Sequence, residues 1–198
     1  GYSKHPDETL KVWDKEQVLS DIVWTIRKFR PDVIVNRFDH RTPGSTHGHH
    51  TSSAILSVEA FDIANDKNAY SQQLSQVATW QPKRIFFNTS WWFYGSQENF
   101  EKADKSKMME LDVGIYYPLA GMSNNEIAAT ASSQHLCQGF GRPLERGSQP
   151  EYIELLKGDM PSSENNLFEG IDTSWSRMTG GEPIGKILYE VESNFNFV

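Results

Sequence analysis

The feature that most restricts the fold is a helix followed at once by a short apolar strand. Asp14 and Gln17 have the spacing of a helical capping box, and the apolar residues after them recur at helical intervals as far as Phe29. Pro31 ends this helix, and a Val-Ile-Val run at 33–35 is typical of a strand buried on both faces of a parallel sheet. Together they predict half of an α/β repeat.

The rest of the chain continues the alternation of helices and strands. We predict a helix over 51–64, strands over 84–88 and 111–116, a capped helix after Ser123, and a short strand or helix over 152–156. The polar residues 65–82 predict a surface excursion, and residues 160–183 predict a loop. We therefore expect an α/β fold, a Rossmann-like three-layer sandwich with a mostly parallel sheet, present here as a partial fold.

Composition excludes several classes of protein. The 198 residues suit one hydrophobic core, and an aromatic share of 12% is too high for a disordered chain. A net charge of −7 argues against a nucleic-acid partner or an anionic membrane surface. The single cysteine, Cys137, excludes an internal disulfide and a thiolate zinc cluster. The apolar runs are too short for a membrane-spanning segment.

Both ends of the chain resemble internal cuts, so we expect a piece of a longer protein with further domains. We assign residues 1–160 to one domain and residues 161–198 to an extension of that domain or to the start of a following segment. A targeting region would then lie outside this chain. This leaves the bacterial cytoplasm and the periplasm both open as the compartment.

A histidine cluster gives the clearest functional signal. His40, His47, His49 and His50 fall within eleven positions, in the loop that follows the strand at 33–35. Open α/β sheets bind ligands at the carboxyl ends of their strands, and histidine is the commonest ligand of transition metals. Asp39 could be a further ligand, or the carboxylate that fixes the tautomer of a ligating imidazole. A solvated loop whose histidines cap a helix end accounts equally well for the pattern.

The spacing within this cluster leaves the individual roles open. His47 and His50 are three residues apart beside a helix start, so both can point into one pocket. That arrangement suits two metal ligands as well as one ligand and one catalytic histidine. Trp91 and Trp92 follow the strand at 84–88 and either stack on sugar rings or form a packing cluster. Arg37 is a candidate for binding a phosphate or carboxylate, and an exposed structural arginine is the alternative.

At this loop the chain resembles a known family. Residues 30–61, RPDVIVNRFDHRTPGSTHGHHTSSAILSVEAF, resemble the second motif of the PIG-L/LmbE-like N-deacetylases, in which a buried strand, a glycine-containing loop and a His-Pro-Asp-His element precede a helix. His47-Gly48-His49-His50 lies at the position of that element. Residues 123–141 are similar to a serine-rich helix and Ser-Gln-His segment of larger bacterial members. The resemblance covers most of residues 11–157.

The resemblance implies a zinc-dependent hydrolase that removes the acetyl group from an N-acetylated amino sugar or glycoconjugate. It implies one Zn²⁺ bound by His50, with His47 polarising the carbonyl and His49 at the position of an orienting aspartate. We add Asp39 as a candidate catalytic carboxylate, and Arg37, Trp91 and Trp92 as candidate contacts to a small-molecule or glycan substrate. The alternative function is a non-catalytic carbohydrate-binding domain on the same fold.

The family's first motif, His-Pro-Asp-Asp-Glu, supplies the remaining zinc ligands and the general base. His5-Pro6-Asp7-Glu8 resembles it, but no apolar strand precedes His5, and Glu8 takes the place of the ligating aspartate. We interpret residues 5–8 as a polar turn before the first helix. We expect the true first motif to lie on sequence that precedes this chain.

Overall fold

A computed structural model describes residues 3–139, 141, 143–163 and 165–194. These residues form two compact units, Gly1–Met160 and Pro161–Val198. The first unit contains the sheet and most of the helices, and it is of the α/β class. In the described residues its α-helices are α1 Pro6–Trp13, α2 Lys15–Phe29, α3 Gly48–Ile63, α4 Gln97–Lys102 and α5 Asn124–Ser133.

One four-stranded sheet forms the centre of this unit. Its strands are β1 Val33–Asn36, β2 Arg84–Thr89, β3 Met108–Asp112 and β6 Pro150–Gly158, in the order β1-β2-β6-β3. A small hairpin of β4 Tyr116–Tyr117 and β5 Met122–Ser123 precedes α5. Strand β1 pairs with β2 in parallel, as a β-α-β unit through α3 requires, whereas β6 pairs antiparallel with both β2 and β3.

The sheet differs from the mostly parallel one that the sequence predicts. Among the described strands only the β1–β2 pair is parallel, because β6 inserts antiparallel between β2 and β3. The alternation in β6 explains this position: Ile153 and Leu155 are buried, while Glu154 projects to the opposite face. Residues 152–156, predicted as a strand or a short helix, are therefore the middle of a nine-residue strand.

Helix α3 lies between α2 and the sheet. Leu19, Val23 and Ile26 of α2 pack against Leu56 and Ala60 of α3. A second set of α3 side chains packs against Ile85 of β2. Because α3 is covered on two sides, its buried residues are spread around the helix. Since α3 follows β1 and β1 is parallel to β2, the first turn of α3 lies at the edge of the sheet where both strands end.

The predicted burial of β1 on both faces is wrong. Val35 is 47% exposed, and among the described residues no strand pairs with the outer edge of β1. An edge strand lacks the second neighbour that covers a central parallel strand.

The segment at 65–82 is more than a surface excursion, because it encloses a buried arginine. Arg27 of α2 is 1% exposed, and its guanidinium donates to the carbonyl oxygens of Ala64, Asp66 and Ala69 at 2.8–2.9 Å. It also donates to Oε1 of Gln73 at 3.0 Å. Burial lowers the pKa of Arg27 from its usual value.

The capping box predicted at Ser123 is confirmed. Ser123 Oγ accepts from the backbone N–H of Glu126, and the Glu126 carboxylate accepts from the backbone N–H of Ser123 at 2.9 Å. Arg146 donates to the other carboxylate oxygen at 2.7 Å. These hydrogen bonds lower the pKa of Glu126, the one from Ser123 most strongly.

Replacing Ser123 with alanine should lower the free energy of unfolding by about 1 kcal/mol, the typical value of an N-cap. The loss should appear in urea denaturation as a lower midpoint with an unchanged slope. Ser133→Ala, at the other end of α5, is the control, since its hydroxyl donates to the helix carbonyl of Ala129 and does not cap the helix start. Equal effects of the two changes would contradict a specific cap at Ser123.

The second unit consists of a short 3₁₀ turn at Trp175–Arg177 followed by α6, Gly181–Asn194. The predicted loop at 160–183 therefore ends where α6 begins, at Gly181. Gly181 and Gly185 are in close contact with Trp175, so the turn packs against the first half of the helix. Across the described parts of both units, no helix has the length and apolar character to cross a membrane.

Candidate metal centre

The histidine cluster lies at the start of α3, beyond the carboxyl end of β1. His47 has extended backbone geometry (φ −61°, ψ 146°) and is the N-cap of the helix. Its carbonyl oxygen accepts from the backbone N–H groups of His50 and Thr51 at 3.0 and 3.2 Å. The first turn of a well-packed helix thus carries His47, His49 and His50 on rigid backbone.

These three imidazoles lie close enough to bind one metal ion. One donor atom from each of His47, His49 and His50 lies within 4.8 Å of the others. The ring centroids are separated by 5.4 Å for His47–His49, 5.0 Å for His47–His50 and 4.3 Å for His49–His50. Tetrahedral coordination at about 2.0–2.1 Å needs ligand nitrogens about 3.3 Å apart, so small side-chain rotations complete the set.

The surroundings of His50 favour the form of imidazole that binds metals. Phe38 stacks on the ring, with centroids 3.9 Å apart and an interplanar angle of 9°. Burial lowers the pKa of His50, and the neighbouring His49 and His47 lower it further. The lowered pKa favours neutral imidazole at His50, and a cluster of imidazole nitrogens fits a divalent transition metal.

A cavity of about 430 Å³ opens beside the cluster. His47 and His50 line it together with the aromatic residues Phe38 and Trp92. The remaining lining residues come from the N-terminal segment and from the loop after β1; they are Lys4, Gly44, Ser45 and Thr46. A small ligand in this cavity would contact both the imidazoles and an aromatic surface.

Residues 5–8 are a helix start, and the polar turn predicted there is wrong. His5 is the N-cap of α1, Pro6 is its first residue, and His5 Nδ1 accepts from the backbone N–H of Asp7 at 3.4 Å. Helix α1 packs against α3, so this segment lies beside the histidine cluster. Among the described residues, the group placed to share an ion comprises only the three histidines and includes neither Asp7 nor Glu8.

Gly48 makes the contact between α1 and α3 possible. Its N–H donates to the carbonyl oxygen of Ser3 at 3.0 Å. A Cβ at this position would lie 2.3 Å from the carbonyl oxygen of His5 and 2.7 Å from Oγ1 of Thr9. Gly48 of the His-Gly-His-His element therefore has a packing role here.

Gly48→Ala should destabilise the protein by about 1–3 kcal/mol, the usual cost of overpacking. The direction of the change in the free energy of unfolding is informative, because a glycine-to-alanine change in an uncrowded helix raises stability by about 1 kcal/mol. Urea denaturation followed by circular dichroism measures the difference. An unchanged or higher free energy of unfolding would show that α1 does not rest on Gly48.

Asp39 is buried in an ion-pair network next to the cluster. Its carboxylate accepts from Nε of Arg41 at 2.8 Å, and the two terminal nitrogens of Arg41 each donate to Glu154 at 2.7 Å. His40 Nδ1 lies 3.7 Å from the same Asp39 oxygen, and burial lowers the pKa of His40. The network joins the loop after β1 to β6 and so holds Phe38 near His50.

The other candidate residues lie in different places. Arg37 donates to the backbone oxygen and Oδ1 of Asn88 at 3.2 and 3.0 Å, and it lines a separate cavity with Val35 and Glu151. Trp91 and Trp92 are both 51% exposed on a 3₁₀ turn after β2. Only Trp92 is among the residues that line the histidine cavity.

Five of the eight described residues that line the cavity are absent from the sequence-based candidates: Lys4, Phe38, Gly44, Ser45 and Thr46. Phe38 lies within residues 30–61, and its position two residues after the end of β1 was the available signal. No local pattern marks Lys4, because it reaches the cavity only through the packing of α1 on α3. Comparison with known proteins gives no matching family model and no matching curated protein.

Proposed function

We propose that this chain is part of a zinc-dependent N-deacetylase of the PIG-L/LmbE type. The observation that carries the proposal is the grouping of His47, His49 and His50 at the start of α3, where the residues that resemble the family's second motif come together. The proposed reaction is hydrolysis of the acetamide of an N-acetylated amino sugar or glycoconjugate. Zinc is the proposed ion because three neutral imidazoles form a known type of catalytic zinc site.

The three histidines have the properties that such a site needs. They would hold Zn²⁺ and leave a coordination position for water, where the metal supplies an activated water and polarises the amide carbonyl. Phe38 would keep the His50 ring in place by stacking. Asp39 is bound by Arg41, so we now propose that it fixes the loop and does not transfer the proton.

We further propose that the described sheet is part of a larger, Rossmann-like sheet. The outer edge of β1 is unpaired in the described residues, and Val35 is 47% exposed although its Val-Ile-Val run is typical of a central strand. Additional parallel strands at this edge would cover Val35. In this arrangement a carboxylate general base would reach the cluster from the added sequence, as the first motif does in the family.

Calorimetric titration of the chelator-stripped chain with zinc tests the metal site. We expect binding of one ion per chain. The longest natural form of the protein, loaded with zinc, should then release acetate from N-acetylated amino sugars and lose this activity with chelator. A folded chain that binds no zinc would overturn the site, and a zinc-loaded natural protein that releases no acetate would overturn the reaction.

A non-catalytic carbohydrate-binding domain is the second candidate function. The half-exposed indole rings of Trp91 and Trp92 favour it, since aromatic faces stack on sugar rings. Glycan binding that persists in the presence of chelator and is lost in Trp92→Ala, without release of acetate, would support this function over the enzymatic one.

A further inference from the structure

We propose that Lys4 makes the histidine cavity selective for substrates that carry an anionic group, a phosphate or a carboxylate, next to the acylated sugar ring. This inference rests on the proposed function, because it assigns a substrate class to the same cavity. Lys4 lines the cavity together with His47, His50 and Trp92.

The cavity is basic in a chain that is acidic as a whole. The net charge is −7, yet among the described residues that line this cavity Lys4 is the one with a formal charge, and none is an aspartate or glutamate. Clefts lined by one sign of charge concentrate ligands of the opposite sign. A bound divalent cation would add to the same positive field.

The arginines near the site are already engaged, whereas Lys4 is available. Arg37 is hydrogen-bonded to Asn88, and Arg41 is paired with Asp39 and Glu154. In the part of the chain that the structure describes, the ammonium group of Lys4 forms no ion pair. The nearby carboxylate of Glu8 instead accepts from the backbone N–H of Lys4, at 3.4 Å.

The backbone on both sides of Lys4 is anchored. The carbonyl oxygen of Ser3 accepts from the N–H of Gly48, and the carbonyl oxygen of His5 accepts from the N–H of Thr9 at 3.2 Å. The lysine is thus attached to the same helix start that carries the histidines. An ammonium group on a fixed backbone loses less entropy on binding than one on a mobile terminus.

The other walls of the cavity fit a sugar ring. Trp92 and Phe38 supply aromatic surface, and Ser45 and Thr46 supply hydroxyl groups. A ring stacked on Trp92 with its acetamide towards the imidazoles would place a further substituent near Lys4. An anionic substituent there would gain a charge-assisted hydrogen bond.

The test compares three acetylated sugars on the zinc-loaded chain by calorimetry at low ionic strength. N-acetylglucosamine is the neutral probe, N-acetylglucosamine 6-phosphate carries a phosphate, and N-acetylmuramic acid carries a carboxylate. We expect at least one anionic sugar to bind about five-fold more tightly than the neutral one, the upper range for one exposed ion pair. The sugar that shows the preference identifies which anion the cavity takes.

Three variants assign the preference to Lys4. Lys4→Gln should abolish it, and Lys4→Glu should reverse it. Lys11→Glu is the matched control, because it makes the same charge change on exposed α1 surface away from the cavity lining. The preference should survive in Lys11→Glu.

The outcomes separate this inference from the proposed function. Zinc binding without any anion preference, or without binding of any of the sugars, would overturn the role of Lys4 and leave the metal site standing. A preference that persists in Lys4→Gln would also overturn it. Absence of zinc binding would overturn the proposed metal site, while an anion preference lost in Lys4→Gln would still support the anion site.

Discussion

His50→Ala is expected to lower the affinity for zinc by at least about a hundredfold, because it removes one of the three proposed protein ligands. His50 is the proposed ligand on which Phe38 stacks and whose pKa burial lowers, so its loss should cost more than the loss of a mobile side chain. Competition between the protein and a chromophoric chelator measures the change. Stoichiometric zinc at the original affinity in His50→Ala would contradict the assignment.

Two further histidine variants make this experiment discriminating. His135→Ala is the matched control, since His135 is exposed on another element and should leave zinc binding unchanged. His47→Ala separates two roles that the spacing leaves open. If His47 is a third ligand, its replacement should weaken zinc binding. If His47 instead polarises the carbonyl, its replacement should abolish release of acetate by the longest natural form while zinc stays bound.

Local patterns in the sequence were sufficient for the elements but not for the sheet. The helix before Pro31, the strand predicted at 84–88 and the capping box at Ser123 follow from spacing and capping, and the structure confirms them. Strand order depends on contacts between distant residues. The antiparallel pairing of β6 with β2 joins residues more than sixty positions apart, for example Phe87 and Glu154. No local signal specifies that pairing.

Part of the candidate site also follows from local sequence, and part depends on contacts between distant residues. The proximity of His47 and His50 follows from their three-residue spacing at a helix start, so spacing predicts it. Arg37 and Trp92 line different cavities, although both follow strands at the same sheet edge. Side chains that leave a strand one residue apart point to opposite faces, and which face becomes a cavity depends on the elements packed there.

Arg27→Met is expected to lower the free energy of unfolding by about 3–5 kcal/mol, the range observed when a buried charged network loses one partner. Its guanidinium binds four backbone or side-chain oxygens between residues 64 and 73 at 3.0 Å or less. Methionine fills similar space but donates no hydrogen bond, so these acceptors would be left buried or would have to reach water. Urea denaturation of the variant and the original chain gives the difference.

Arg27→Lys and Lys28→Met separate charge from hydrogen-bond geometry. Lysine retains the charge but has three donors and no planar fork, so it should recover only part of the loss. Lys28 is the neighbouring exposed cation on α2, and its replacement by methionine should change stability by less than about 0.5 kcal/mol. In Arg27→Met, amide hydrogen exchange should rise first at residues 64–73, because the guanidinium closes that segment onto α2. An unchanged free energy of unfolding in Arg27→Met, or unchanged amide hydrogen exchange at residues 64–73, would mean that packing of α2 on α3 alone holds this segment in place.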